Sequence, residues 1–151
     1  MATAPRIYLD ACALNRPTDP PSQPRVQLEA SSVLHILRNA ALGNVIWIAS
    51  SVLVAELEEC PSIERRAASL ALLGIAAQIP RPSQAANERA LQLVTLGYGP
   101  ADALHLATAE ENRCDTLLTT DDRFPRKALR GLGAPSVQVQ NPVVYIKEVR
   151  L

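Results

Sequence analysis

PADALHLATAEENRCDTLLTTDDRF, residues 100–124, is the stretch on which the fold turns. Pro100 suits the first position of a helix, where its missing N–H would be unpaired anyway. That helix is predicted to run to about Asn112, with Asp102 in its first turn. Thr116-Leu117-Leu118-Thr119 then reads as a short buried strand, and it ends in Thr120-Asp121-Asp122. A helix therefore feeds a strand, and the strand ends at an acid.

The same unit recurs on both sides. Arg6-Ile7-Tyr8-Leu9 is an apolar run ending at Asp10. Residues 15–24 (NRPTDPPSQP) are dense in Pro and polar side chains and are predicted to be a loop. A long loop beside a strand end is often part of a site. Val26, Ala30, Val33, Leu34, Leu37 and Ala41 recur at helical spacing, and Gly43-Asn44 stops that helix. Val45-Ile46-Trp47-Ile48-Ala49 predicts a second strand. Ser50 or Ser51 can cap the next helix, which carries Val52, Leu53, Glu56 and Leu57 and closes at Pro61. Helices are also predicted over residues 62–77, with Arg65 and Arg66 on the wet side, and over 83–96, with an extended stretch at 78–82 between them. After residue 124 come a short helix to about Leu132 and a last strand, Val137-Gln138-Val139. Asn141-Pro142 and residues 143–146 follow it with no element assigned. No internal repeat or low-complexity segment occurs. Strands alternating with helices predict an α/β fold, a parallel sheet covered on both faces.

Composition agrees with one soluble globular domain spanning residues 1–151. The chain has 151 residues, 48% apolar and 20% charged; that length can bury a core without staples. Aromatics are only 3%, so the core must be aliphatic. Formal net charge is zero, which excludes a protein whose main task is coating nucleic acid. It leaves room for an enzyme that meets nucleic acid locally. Cys12, Cys60 and Cys114 are far apart and form no CxxC pair. They are expected to be buried, reduced thiols of a cytoplasmic protein. The opening MATAPRIYLD shows no basic-then-apolar signal segment, and no apolar run approaches a membrane span.

Four acids occupy equivalent places. Asp10 and Asp121 follow strands directly, Glu56 lies in the helix after strand two, and Asp102 opens the helix begun by Pro100. In open parallel sheets the carboxyl ends of the strands form the binding crevice, so these distant residues can meet there. Two carboxylates ~4 Å apart repel by about 1 to 4 kcal/mol; three or four together must protonate or splay. A hard divalent cation reverses that sign, and Mg²⁺ or Mn²⁺ prefers carboxylate oxygens and water. Such ions can activate a water and stabilise the attacking and leaving oxygens of a phosphodiester. Singly, each acid has an ordinary reading as turn former, solvated helix face, dipole partner or cap. Glu58 and Glu59 compete with Glu56 for its role. Glu56 is preferred because it lies four residues after Val52 and three after Leu53, toward the sheet. The joint placement carries the signal.

These segments resemble the PIN-domain family, and most closely the VapC-type toxins of bacterial toxin–antitoxin pairs. The matching stretches are IYLDACALNR at 7–16, SSVLVAELEECP at 50–61, residues 100–124 as quoted, and VQVQNPVVYI at 137–146. The resemblance spans nearly the whole chain; residues 100–124 are its most specific part. It implies a three-layer α/β/α fold around a central parallel sheet and Mg²⁺- or Mn²⁺-dependent cleavage of RNA. It implies that Asp10, Glu56, Asp102 and Asp121 are the metal-binding and catalytic acids, with Asp122 as a further ligand. Thr119 or Thr120 matches a hydroxyl position beside the last acid. Asn15 and Arg16 match a variant found in part of the family, with Arg16 able to touch a substrate phosphate. Toxins of this kind pair with a small antitoxin and commonly dimerise; residues 33–42 could serve an interface or the core.

The rival readings are weaker. A nucleotide-binding domain would show GxGxxG or a P-loop, and neither is present. Strand one ends in DACAL, without the second acid an aspartyl phosphatase would carry two residues on, and a receiver-like domain would want an acidic pair where this chain has ATAPR. A catalytically silent PIN scaffold binding RNA or a protein partner would be expected to have lost an acid. His105 and His35 lack cysteine partners for a zinc site, and His105 is expected to be structural. Residues 15–24 and the Arg123, Arg126 and Lys127 cluster are candidate RNA contacts.

Overall fold

The short apolar runs form four strands: β1 (Arg6–Leu9), β2 (Ile46–Ile48), β3 (Thr116–Leu118) and β4 (Gln138–Gln140). The computed structural model describes residues 3–151. The strands make one sheet in the order β2-β1-β3-β4, all parallel. Tyr8 at the centre pairs with Ile48 on one side and Leu117 on the other. The chain leaves β1 for β2 on one side and returns to β3 on the other. The switch point of the sheet is thus between β1 and β3, and its crevice opens at their carboxyl ends.

Alternation along each strand feeds two cores. Ile7, Leu9, Trp47 and Leu118 point to one face, where Val33, Ile36, Leu37, Leu53, Leu57 and Tyr145 meet them. Tyr8, Ile48, Leu117 and Val139 point to the other, against Ala90, Leu93, Ala103, Leu106 and Phe124. A strand buried on both faces reads as a continuous apolar run for this reason. The first face is covered by α1 (Ala11–Asn15), α2 (Pro24–Ala41), α3 (Ser51–Glu58), α4 (Ile63–Leu72) and α8 (Pro142–Val149). The second is covered by α5 (Gln84–Thr95), α6 (Pro100–Glu111) and α7 (Arg123–Leu129). The result is the expected three-layer α/β/α arrangement.

Helix starts follow their caps. Ser50, Ser62 and Ser83 accept the N–H of Leu53, Arg65 and Ala86, and Pro occupies the first turn of α2, α6 and α8. Several boundaries depart from the sequence reading. Residues 15–24 are only partly loop: Asn15 ends α1, and Arg16–Thr18 form a 3-10 turn. The helix expected over 62–77 stops at Leu72 and tightens into a 3-10 turn, Leu73–Ile75. Residues left unassigned after Asn141 form α8, opened by an Asn141 cap and Pro142. Arg65 and Arg66 are half-buried rather than wet: Arg65 pairs with Asp19, and Arg66 donates to the Cys60 carbonyl at 3.3 Å. Of the cysteines, all free, only Cys114 is buried, whereas Cys12 is exposed. Among residues 33–42, Val33, Ile36 and Leu37 are core, while Leu34 and Leu42 face out.

α2 carries a buried carboxylate. Glu29, 1% exposed, accepts hydrogen bonds from Arg16 at 2.9 Å, Arg25 at 3.3 Å and Asn141 at 2.5 Å. It ties the turn after α1, the start of α2 and the cap of α8 to one anion. No helix among the described residues is long and apolar enough to cross a membrane.

Candidate active site

Asp10 is where β1 hands the chain to α1. Its carboxylate caps α1, accepting the Ala13 N–H at 2.9 Å, and its backbone N–H stays in the sheet, donating to the Leu118 carbonyl. Asp10 is 2% exposed. Burial pushes its carboxyl up to about 6; the Thr119 hydroxyl, the Ala13 N–H and His105 pull the other way, and Asp102 adds to the rise. Thr119 also accepts the Asp121 N–H at 3.2 Å. One hydroxyl therefore spans the ends of β1 and β3, and it belongs to Thr119 rather than Thr120. Thr120 offers its carbonyl to Arg25 at 3.3 Å.

The other acids arrive from the neighbouring elements. Asp102, in the first turn of α6, is half-buried, and burial together with Asp121 and Glu56 raises its pKa against His105 and Lys127. Glu56 on α3 is half-buried, while Glu58 and Glu59 are exposed, so the spacing argument picked the glutamate turned inward. Cys12, in the first turn of α1, reports the convergence. Desolvation of its sulfur comes first, then the charges of Asp10, Asp102, Asp121 and Glu56, together pushing the thiol up to about 12. All four acids thus act on one point although they come from four separate segments.

They do not touch one another as ligands. Among the described residues no three His, Cys, Asp or Glu side chains stand close enough to hold a metal ion. Like charges splay unless countered, and here all but Asp102 have found a cation or donor. Glu56 meets His105, Asp121 meets Arg123 at 3.1 Å, and Asp122 meets Arg25 at 2.7 Å. Hydrogen bonding to Arg123 and Arg25 lowers the pKa of Asp121 and Asp122 respectively. The Asp121 pair is exposed on its arginine side, so it exchanges readily with other partners. Asp122 is aimed at α2. In kind the donors suit a hard divalent cation, being carboxylates only and partly desolvated, but in their present pairings they form no metal site among the described residues.

Beside the acids lies a cavity of about 370 Å³ lined by Cys12, Asn15, Arg16, Asp19, Thr120 and Asp121. Arg16 is paired with Asp19 and Glu29, both at 2.9 Å, and Asn15 accepts the Ser69 hydroxyl at 2.9 Å. The two residues line the cavity while engaged with the scaffold. A larger cavity, about 760 Å³, runs along the outer edge of β4 between α7 and α8, and it shares only Asp122 with the acids. Of the four acids, Asp121 alone lines the smaller one.

His105, expected to be structural, is held at both ring nitrogens. It is 1% exposed, and it is bound to Glu56 through Nε2 and to Tyr8 through Nδ1. It lies three residues after Asp102 and so on the same helix face.

The model of the PIN domain matches residues 7–129. The chain belongs to the PIN-domain family. PIN domains are generally nucleases. Among solved structures the chain is similar to VapBC2 from Rickettsia felis, described as bound to a DNA fragment from its promoter. That likeness has a TM-score of 0.59 and 19% identity, over 90% of this chain and 98% of that one. It is also similar to VapC20 of Mycobacterium tuberculosis, described as a sarcin-ricin loop cleaving toxin. There the TM-score is 0.58 and identity 13%, over 83% of this chain and 95% of that one. At such identities the likeness shows the fold. No curated protein matches the sequence.

Proposed function

We propose that this PIN domain is a Mg²⁺- or Mn²⁺-dependent ribonuclease, the toxin of a type II toxin–antitoxin pair acting in the cytoplasm. One observation carries the reading: Asp10 and Asp121 follow β1 and β3, the strands flanking the switch point of a parallel sheet, and Glu56 on α3 is bonded to His105, one helical turn from Asp102 on α6. In this reading they hold the divalent ion, which would supply an activated water and charge stabilisation at the phosphodiester. Asp10 is the preorganised member, its orientation set by the α1 cap and Thr119. Asp102 stands open toward the same point. Arg123, four-fifths exposed, can leave Asp121 for a phosphate. Arg16 and Asn15 border the cavity where a nucleotide would lie.

Asp122 is the weakest member of the ligand set, because Arg25 grips both of its oxygens. The antitoxin partner and a homodimer rest on the likeness to VapBC2 and VapC20; exposed Leu34 and Leu42 leave α2 an apolar edge for either. The test is RNA cleavage by purified protein with and without EDTA, beside Asp10→Asn and Asp102→Asn. Loss of cleavage in EDTA and in both folded variants is expected. Cleavage by folded variants at the wild-type rate would sink the acidic-site reading. Co-purification of a small protein encoded beside the chain separates a toxin from a solitary nuclease.

A further inference from the structure

A buried chain of hydrogen bonds runs from the sheet to the site. Ser50 Oγ and Tyr8 Oη are 2.6 Å apart, Tyr8 Oη and His105 Nδ1 are 2.5 Å apart, and His105 Nε2 meets Glu56 Oε1. Ser50 and Tyr8 have no exposed surface, and His105 has 1%. Water therefore cannot substitute for the Ser50–Tyr8 or Tyr8–His105 link, and each proton there must be placed; only the Glu56 end reaches solvent.

The placement has one solution for a neutral ring. A carboxylate has no proton to give, so Nε2 carries one and donates to Glu56. Nδ1 is then bare and accepts, and the group facing it is the Tyr8 hydroxyl. A phenol keeps its proton at neutral pH, so Tyr8 donates. With that proton committed to Nδ1, Tyr8 accepts from Ser50. Ser50 accepts in turn from the Leu53 N–H at 3.1 Å, at the cap of the helix that carries Glu56. The order Ser50 to Tyr8 to His105 to Glu56 closes on its own helix.

We propose that His105 is a positioning residue for Glu56, locked in its Nε2–H tautomer by Tyr8 and Ser50. Glu56 is the one site acid on a long side chain, and ordering such a chain costs rotamer entropy. The relay holds it at one angle before any ligand arrives. Glu58 and Glu59, the last residue and the C-cap of the same helix, have no such partner among the described residues. Outer partners of ligating carboxylates typically change metal affinity or activity by about 10–100-fold. The proposal rests on the reading of Glu56 as a site acid, but its first readout does not.

Long-range ¹H–¹⁵N NMR of the His105 ring in the metal-free protein should show a single Nε2–H tautomer. Tyr8→Phe keeps the ring and removes the hydroxyl, and should abolish that single state. Mn²⁺ titration should then show Tyr8→Phe binding several-fold more weakly and His105→Leu about 10-fold or more. His105→Gln should recover much of the loss, since its amide can donate to Glu56. An Nδ1–H tautomer in wild type, or one unmoved by Tyr8→Phe, overturns the proposal. So does wild-type Mn²⁺ affinity in folded His105→Leu; if that variant fails to fold, Tyr8→Phe decides. Mn²⁺ binding equally weak in wild type and Asp10→Asn would instead remove the metal-nuclease reading, leaving the tautomer result to decide the relay.

Discussion

Asp10 concentrates the conflict on which the site is built. It is a helix cap, which favours an acid, and it is sealed from water beside other acids, which disfavours its charge. Its carboxyl lies at about 6 against an ordinary 3.8. A carboxyl whose folded-state pKa is raised stabilises the fold most below the unfolded value. That advantage is lost as pH rises from about 4 through about 6. Roughly 2 units at 1.36 kcal/mol each amount to about 3 kcal/mol. Asn caps a helix as well as Asp does, so Asp10→Asn removes the charge and keeps the bond to Ala13. In EDTA at pH 7–8 the variant is expected to melt several degrees above wild type, with the gap closing near pH 4. A variant less stable than wild type at pH 7 would contradict this. Asp122 carries the opposite expectation: Asp122→Asn, which loosens only the exposed pair with Arg25, should shift stability by less than about 1 kcal/mol and leave Mn²⁺ affinity within about 3-fold.

The elements are tied together by polar groups as well as by the two cores. Glu29 on α2 is the clearest case, since two arginines and Asn141 converge on it. Glu29→Gln keeps the shape and removes the anion, and it should cost about 1–3 kcal/mol in a urea titration. The half-exposed Arg25 recovers part of its hydration, which keeps the cost at that level. No loss would show that packing alone holds α1, α2 and α8 together. The turn between α7 and β4 is constrained differently. Gly133 has φ +76°, and a Cβ there would lie 2.6 Å from Leu93 Cδ2. Gly133→Ala should therefore destabilise by about 1–2 kcal/mol, since both the backbone and the α5 contact resist it. Thermal unfolding checks it; an unchanged melting temperature would mean that the turn relaxes freely.

Across the whole molecule, charge is balanced but not evenly spread. Net charge is zero, yet Arg123, Arg126, Lys127 and Arg130 gather on and just after α7, beside Asp121. If this patch guides RNA, about four phosphates are met. Single-strand binding should then fall with salt at a log–log slope of about −3 or shallower. Filter binding or anisotropy between low and physiological salt measures it. A much steeper slope would mean that more cations than these four meet the RNA. In the proposed reading the site itself is acidic, so affinity for an anion comes through the metal and a narrow basic flank.

Residues 100–124 and the other apolar runs determined the strands, the order of elements and the parallel sheet, because a strand buried on both faces leaves an unbroken apolar signature. They also determined which acids stand at strand ends. The five-residue α1 stayed hidden, since one turn is too short for a 3.6-residue period to register. α8 was announced by Asn141-Pro142 but not assigned. Only the tertiary structure decided where each carboxylate points. Pairings such as Glu56 with His105, Asp122 with Arg25 and Glu29 with Asn141 join residues 49, 97 and 112 positions apart. Sequence periodicity is a local signal and carries nothing across such distances. The acids at the ends of β1 and β3 were legible because the backbone places them; the partners that hold or release them depend on packing between elements.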